Sequence, residues 1–117
     1  MKELKGYKNK VYYNGEELTC LILSYSADFS VALQLVNSDG IPYFTATVYN
    51  ENTKHNVPTY KKEKYAAIKN YSENQGIEQP LIEAGILKKK VGKVSCGYRE
   101  VPIYEINTNP NDIELIA

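Results

Sequence analysis

The chain contains no tryptophan, one histidine, one methionine and two cysteines, and its fourteen basic side chains are matched by fourteen acidic ones. Each scarcity excludes something. A net charge of zero argues against a general nucleic-acid coat or a polybasic membrane binder. The single histidine, His55, stands between Lys54 and Asn56 with no Asp, Ser or Cys motif beside it. A nucleophilic dyad or triad needs a histidine held by a second group and aimed at a nucleophile, so His55 reads as a surface residue. One histidine and two separated cysteines also fall short of a structural zinc shell. Cys20 and Cys96 have no CxxC spacing and sit in apolar, strand-like text, so both read as buried small hydrophobes. Met1-Lys2-Glu3-Leu4-Lys5 lacks the apolar stretch of a signal peptide, and no run approaches the ~18 apolar residues of a membrane span. The expectation is a cytoplasmic protein without membrane contact and without disulfides.

None of the seven glycines forms GxGxxG or GxxxxGK[ST], so no phosphate-cradling loop is expected. Glu16-Glu17 reads as hairpin solubility, and Glu73, Glu78 and Glu83, five apart, would spread around a helix rather than converge as an acid and a base. The residues therefore imply no enzyme, no metal and no cofactor.

What is present is tyrosine, eleven in 117 residues, in a chain that is 43% hydrophobic and 24% charged. That balance is globular, and the length allows one domain, residues 1–117, with one core. Tyrosine suits a half-buried pleated surface and is favoured at interaction surfaces. Charge is divided along the chain: residues 54–99 hold ten Lys/Arg against four Asp/Glu, so the remainder holds four against ten. A +6 segment facing a −6 remainder points to a charged partner, or to ordinary solvated faces.

The pattern is mostly strand. Tyr7 to Tyr13 leads into Asn14-Gly15, a tight-hairpin dipeptide. Glu17 to Tyr25 is apolar on both faces at Leu21-Ile22-Leu23, as in a central strand. Ser30 to Val36 alternates, Asn37-Ser38-Asp39-Gly40 turns, and Ile41 to Tyr49 alternates again with Pro42 confined to a strand start or an edge. These four form an antiparallel meander. Asn50 to Lys64 lacks either periodicity and reads as a loop free to move. Tyr65 to Lys69 reads as a short extended piece. Ser72 with Gln75 reads as a capping box opening a helix near residues 73–84, with Glu73 in its first turn and Ile77, Leu81, Ile82 and Ala84 as its apolar stripe. Pro80 implies a kink there or a separate first turn, and Gly85 a stop. Lys93 to Tyr98 and Val101 to Ile106 close the sheet, and Ile113 to Ile116 adds an edge strand or docks on it. The fold class expected is α+β, a mainly antiparallel sheet of five to seven strands with one short helix.

Two lysine clusters are candidate partner-binding residues: Lys61, Lys62 and Lys64, interleaved with Tyr60 and Tyr65, and Lys88, Lys89 and Lys90. The competing reading is that lysines guard a sheet edge against aggregation.

Three stretches carry a resemblance. They are Asp39-Gly40-Ile41-Pro42-Tyr43-Phe44-Thr45-Ala46-Thr47-Val48-Tyr49-Asn50, then Asn70-Tyr71-Ser72-Glu73-Asn74-Gln75-Gly76 running to Leu81-Ile82-Glu83-Ala84-Gly85-Ile86, then Ser95-Cys96-Gly97-Tyr98-Arg99-Glu100-Val101-Pro102-Ile103-Tyr104-Glu105. In that order they resemble a family of small uncharacterised proteins of bacteria, phages and conjugative elements, notably of Firmicutes and Bacteroides, over residues 7–106. Pro80 departs from that family, whose members continue a helix there, and the family has no catalytic residues to carry over. The resemblance implies a mobile-element protein, an anti-defence or anti-CRISPR-like inhibitor that binds a host protein such as a defence nuclease complex by occlusion. Tyr71 and Glu73, in the second stretch, join the lysines as candidate contact residues. The alternative is a nucleic-acid-binding accessory protein using segment 54–99, and homo-oligomerisation through a strand edge stays open.

Overall fold

The computed structural model describes residues 4–116; Met1–Glu3, read above for a leader, lie outside the described residues. The Asn14-Gly15 dipeptide does what its chemistry requires. Both residues take positive φ, 51° and 78°, and close a two-residue hairpin between β2 (Val11–Tyr13) and β3 (Glu16–Ser24). β1 (Lys5–Tyr7) pairs further along the same side of β3, so the strand expected from Tyr7 to Tyr13 is two pieces with a bend between them. On its other side β3 pairs with β4 (Val31–Val36), which makes it central, as its doubly apolar run demanded. Asn37 then folds the chain back. Its side-chain oxygen accepts from the Asp39 and Ile41 N–H groups, Gly40 takes φ 78°, and β5 (Pro42–Thr45) returns along β4. Pro42 is the first residue of this terminal strand, where its missing N–H costs no ladder bond.

The fold class is α+β and mainly antiparallel, as expected, but among the described residues the strands number nine and form two sheets. β9 (Ile113–Leu115) pairs with β1 as an edge strand, completing the six-stranded sheet β5-β4-β3-β1-β9 with β2 on β3. The second sheet is β6 (Tyr65–Ala67), β8 (Arg99–Ile106) and β7 (Leu87–Cys96), in the order β6-β8-β7. Residues 46–48 stitch the two together. Ala46 N–H donates to the Leu33 carbonyl, while Val48 N–H donates to the Ala67 carbonyl and Lys69 N–H to the Ala46 carbonyl. The two sheets are thus joined into one wrap around the main core.

The expected helix over 73–84 is divided. Ser72–Asn74 is a single 3-10 turn, Gly76 takes φ 83°, and only Glu78–Glu83 forms helix α1. The capping box is absent: Ser72 itself lies at φ 55°, and no side chain caps either piece. Proline explains the boundary. Starting at Glu78 places Pro80 in the first turn, where backbone N–H groups have no intrahelical partner anyway. Gly85, at φ 76°, ends α1 in a Schellman arrangement, with Gly85 N–H on the Ile82 carbonyl and Ile86 N–H on the Leu81 carbonyl. α1 lies against β2 and β7 and buries Ile77, Leu81 and Ala84 in the main core with Tyr7, Leu18, Leu33 and Leu35. Ile82, assigned to the stripe, is exposed.

Residues 50–64 are not a free loop. Thr53 and Val57 are buried, Tyr60 stacks on Tyr65 at 6.1 Å, and this segment forms a second small core with Ala67, Val94, Val101 and Ile103 on the outer face of the second sheet. That cover explains why Val101 to Tyr104 are buried on alternating sides. It seats on Gly92, where a Cβ would stand 2.9 Å from the Asn56 carbonyl oxygen. A Gly92→Ala variant is therefore expected to lose about 1–3 kcal/mol. Because the obstacle is backbone, limited proteolysis should cut residues 50–64 faster in the variant; an unchanged cleavage rate would mean the cover does not rest there.

Candidate functional site

The tyrosines converge on one place. A groove of about 520 Å³ is lined by Tyr25, Tyr43, Phe44, Tyr49 and Tyr71, with Thr45, Thr47, Val48, Lys69 and Glu73. Its construction follows from the strands. Neighbouring residues of a strand normally point to opposite faces. The register between β4 and β5 slips so that Val36 pairs with Pro42 and Leu35 with Phe44, leaving Tyr43 as an extra residue. This bulge brings the Tyr43 and Phe44 rings to 6.0 Å and directs both into the groove. Phe44 also packs on buried Tyr13 at 5.4 Å. On the opposite bank, Tyr25 hydrogen-bonds Thr47 Oγ1 at 2.8 Å, which itself accepts the Leu33 N–H, and the Tyr49 ring lies 5.5 Å away. Burial pushes the Tyr25 phenol up from its usual range.

Tyr71 closes one end between two cations, with the Arg99 guanidinium 4.3 Å and Lys69 Nζ 5.6 Å from the ring centre. Lys69 also meets Glu73 Oε1 at 2.6 Å, which raises the lysine and lowers the carboxyl from their ordinary values. The floor is tied by Asn74, whose Nδ2 donates to the Thr45 carbonyl at 2.7 Å. Asn74 is fully buried, and its Oδ1 has no partner. Each groove ring thus has a neighbouring ring or cation against it.

Of the eight candidate contact residues, only Tyr71 and Glu73 line this groove. Lys61, Lys62 and Lys64 sit in the cover segment before β6, where Lys62 Nζ donates to the Asp28 carbonyl at 3.1 Å and lies 5.6 Å from the Phe29 ring. Lys88, Lys89 and Lys90 are exposed along β7, a terminal strand with two register slips within Leu87–Gly92. Bulges and lysines together are how edges resist pairing, so the edge-guarding reading accounts for this cluster. The structure does not gather the two clusters into one constellation.

Outside the groove, Glu78 accepts from Tyr104 Oη at 2.7 Å and Asn70 Nδ2 at 2.8 Å. Burial, then this carboxylate, pushes Tyr104 up to about 12. Cys20 is fully buried, and burial raises its thiol strongly. Cys96, expected buried, is half-exposed with Sγ 3.8 Å from Tyr71 Oη. His55 is exposed in the 3-10 turn Thr53–Asn56. Among the described residues no group of three His, Cys, Asp or Glu converges for a metal, and no helix is long and apolar enough to cross a membrane.

Sequence reasoning missed Tyr25, Tyr43, Phe44, Tyr49 and Lys69. One readable signal was Tyr43-Phe44 directly after Pro42: proline marks an edge, and two adjacent aromatics there are shared by one face only through a bulge. No family model, curated protein or solved structure matches the chain.

Proposed function

We propose that this chain is a non-catalytic binding protein that occludes a partner protein with its tyrosine groove. The observation carrying this reading is the gathering of five aromatic rings into one open groove, with Tyr25 hydrogen-bonded to Thr47 and Tyr71 flanked by two cations. Rigid tyrosines offer large amphipathic contact area while losing little rotamer freedom, and such residues dominate binding hot spots. The groove's ionic groups are paired with each other, Lys69 with Glu73, which suits a mixed polypeptide surface better than a phosphate backbone. The resemblance to small proteins of phages and conjugative elements supports placing it among anti-defence, anti-CRISPR-like inhibitors acting on a host protein.

Tyr43 and Tyr49 are 48% and 39% exposed, so truncating them leaves the core intact. Tyr43→Ala and Tyr49→Ala are each expected to weaken partner binding by roughly 30-fold, the size of a hot-spot loss. The check is a pull-down from host lysate followed by titration of the copurified protein. A partner retained equally by both variants rules the groove out.

The nucleic-acid alternative uses the basic segment 54–99, in which Lys88, Lys89 and Lys90 make no ion pair among the described residues. It requires retention on single-stranded DNA that falls with log salt by about 0.7 per phosphate contacted. Absence of retention at low salt eliminates it.

A further inference from the structure

The loop from β3 to β4 presents an aromatic side chain on a strained backbone. Phe29 has φ 62°, a region that bulky residues essentially avoid and that Asn or Gly occupies with little strain. Its ring is 69% exposed and belongs to neither core. The loop is nevertheless tightly held. Tyr25 N–H donates to the Ser30 carbonyl and Phe29 N–H to the Tyr25 carbonyl, both at 2.8 Å. Ser30 N–H donates to Asp28 Oδ1 at 2.9 Å, and Lys62 ties the Asp28 carbonyl from the cover segment. The ring adds nothing to either core, and strain of this kind persists where the surrounding structure over-determines it.

The cover segment beside it is rich in lysine. Lys62 lies over the ring, Lys54 and Lys62 both act on the Asp28 carboxyl, and Lys61 and Lys64 flank them in sequence. None of these four lysines makes an ion pair among the described residues. The Asp28 carboxylate is turned onto Ser30, which leaves Glu51 and Glu63 as the nearby acids in the cover segment. The knob also adjoins the groove, since Tyr25, Asp28, Tyr49 and Lys54 line one small cavity between them.

We infer that Phe29 with Lys54, Lys61 and Lys62 is an anchoring knob for a protein whose surface presents an apolar socket rimmed by carboxylates. This rests on the binding reading above and names the chemistry of its partner. A polypeptide fits better than a single-stranded nucleic acid. Strand binding uses successive exposed ring faces, whereas the neighbouring Tyr60 and Tyr65 are half-buried and stacked on each other.

The test has two arms. Phe29→Asn should raise the melting temperature by about 2–4 °C through relief of strain, while weakening binding to the copurified partner at least tenfold. A fall in melting temperature would make the ring structural and overturn the inference. In the second arm a photo-crosslinking phenylalanine replaces Phe29, or separately Tyr43, in the full chain expressed in host cells, and the adducts are sequenced. Adducts at position 29 should map to one protein at a segment whose charged residues are mainly Asp and Glu, with yield falling about tenfold when Lys61→Glu and Lys62→Glu are added. Adducts to nucleic acid, to a second copy of this chain, or to a segment without acidic excess overturn it. Adducts from position 43 but none from 29 sink the knob and spare the groove; none from either sinks both.

Discussion

Leu81→Ala is expected to destabilise the protein by about 3–4 kcal/mol, within the range for emptying a fully buried leucine site. Leu81 has no exposed surface, and α1 carries it into the main core between β2 and β7. The helix is only six residues long, too short to be stable by itself, so its conformation depends on that docking. Truncating the anchor therefore removes packing and also loosens the element covering the interior. Set against a typical total stability of about 5–15 kcal/mol, the loss is large. The comparison is Ile82→Ala, one residue further along the same helix but exposed, for which under about 1 kcal/mol is expected. Urea unfolding of both variants checks this, provided the m-values match. Equal midpoints for the two would mean that α1 does not seal the core.

The apolar pattern put both neighbours on one buried stripe, and only Leu81 is buried. Turns were legible because their chemistry is local: Asn14-Gly15 and Asn37 to Gly40 need positive φ or a side chain bonded two residues on, and they carry the residues that supply it. The meander followed from period-two patterning, the central strand from a run apolar on both faces, and the edge proline from its missing N–H. The helix start was misread because Ser72 and Gln75 have the right spacing for a capping box. Gly76 and Pro80 decide instead, one breaking the chain direction and the other needing a first turn. Residues 50–64 looked free because their apolar anchors are few, Val57 and Tyr60, and their partners Val94, Val101 and Ile103 lie more than thirty positions further along the chain. The groove was the least legible feature. Its rings come from the end of β3, the bulge in β5, the stitch after it and the segment before α1, and only the wrap brings them together. The lysine clusters were visible as charge, but charge in a sequence does not say whether side chains converge.

Asn74 couples that wrap to the groove, and it sets up the second large effect. Asn74→Asp changes almost no volume, so whatever it costs is electrostatic. The wild-type amide donates to the Thr45 carbonyl from a position with no exposed surface, and its own oxygen has no donor facing it. An aspartate there would hold a buried negative charge against a carbonyl oxygen with nothing to neutralise it. Breaking a buried charge balance costs about 3–5 kcal/mol, or about 10 °C or more in melting temperature for a chain of this size. The sign of the pH dependence follows. Burial raises the folded-state pKa of this carboxyl above its unfolded value, so the unfolded chain ionises first and the penalty grows as pH rises beyond the usual carboxylate range. Below that range both states are protonated, and the acid O–H can donate to Thr45 in place of the amide. The melting-temperature deficit of the variant should therefore be large at neutral pH and shrink markedly below about pH 4. Asn74→Ala, which loses the donor without gaining a charge, should show a deficit that is the same at both. Because Asn74 ties the residues bearing Tyr71 and Glu73 to β5, the aspartate variant should also lose partner binding at neutral pH, whereas the exposed Tyr43→Ala change should weaken binding without moving the melting temperature. A pH-independent deficit for Asn74→Asp would mean that water reaches this side chain, and the rigid floor assigned to the groove would have to be given up.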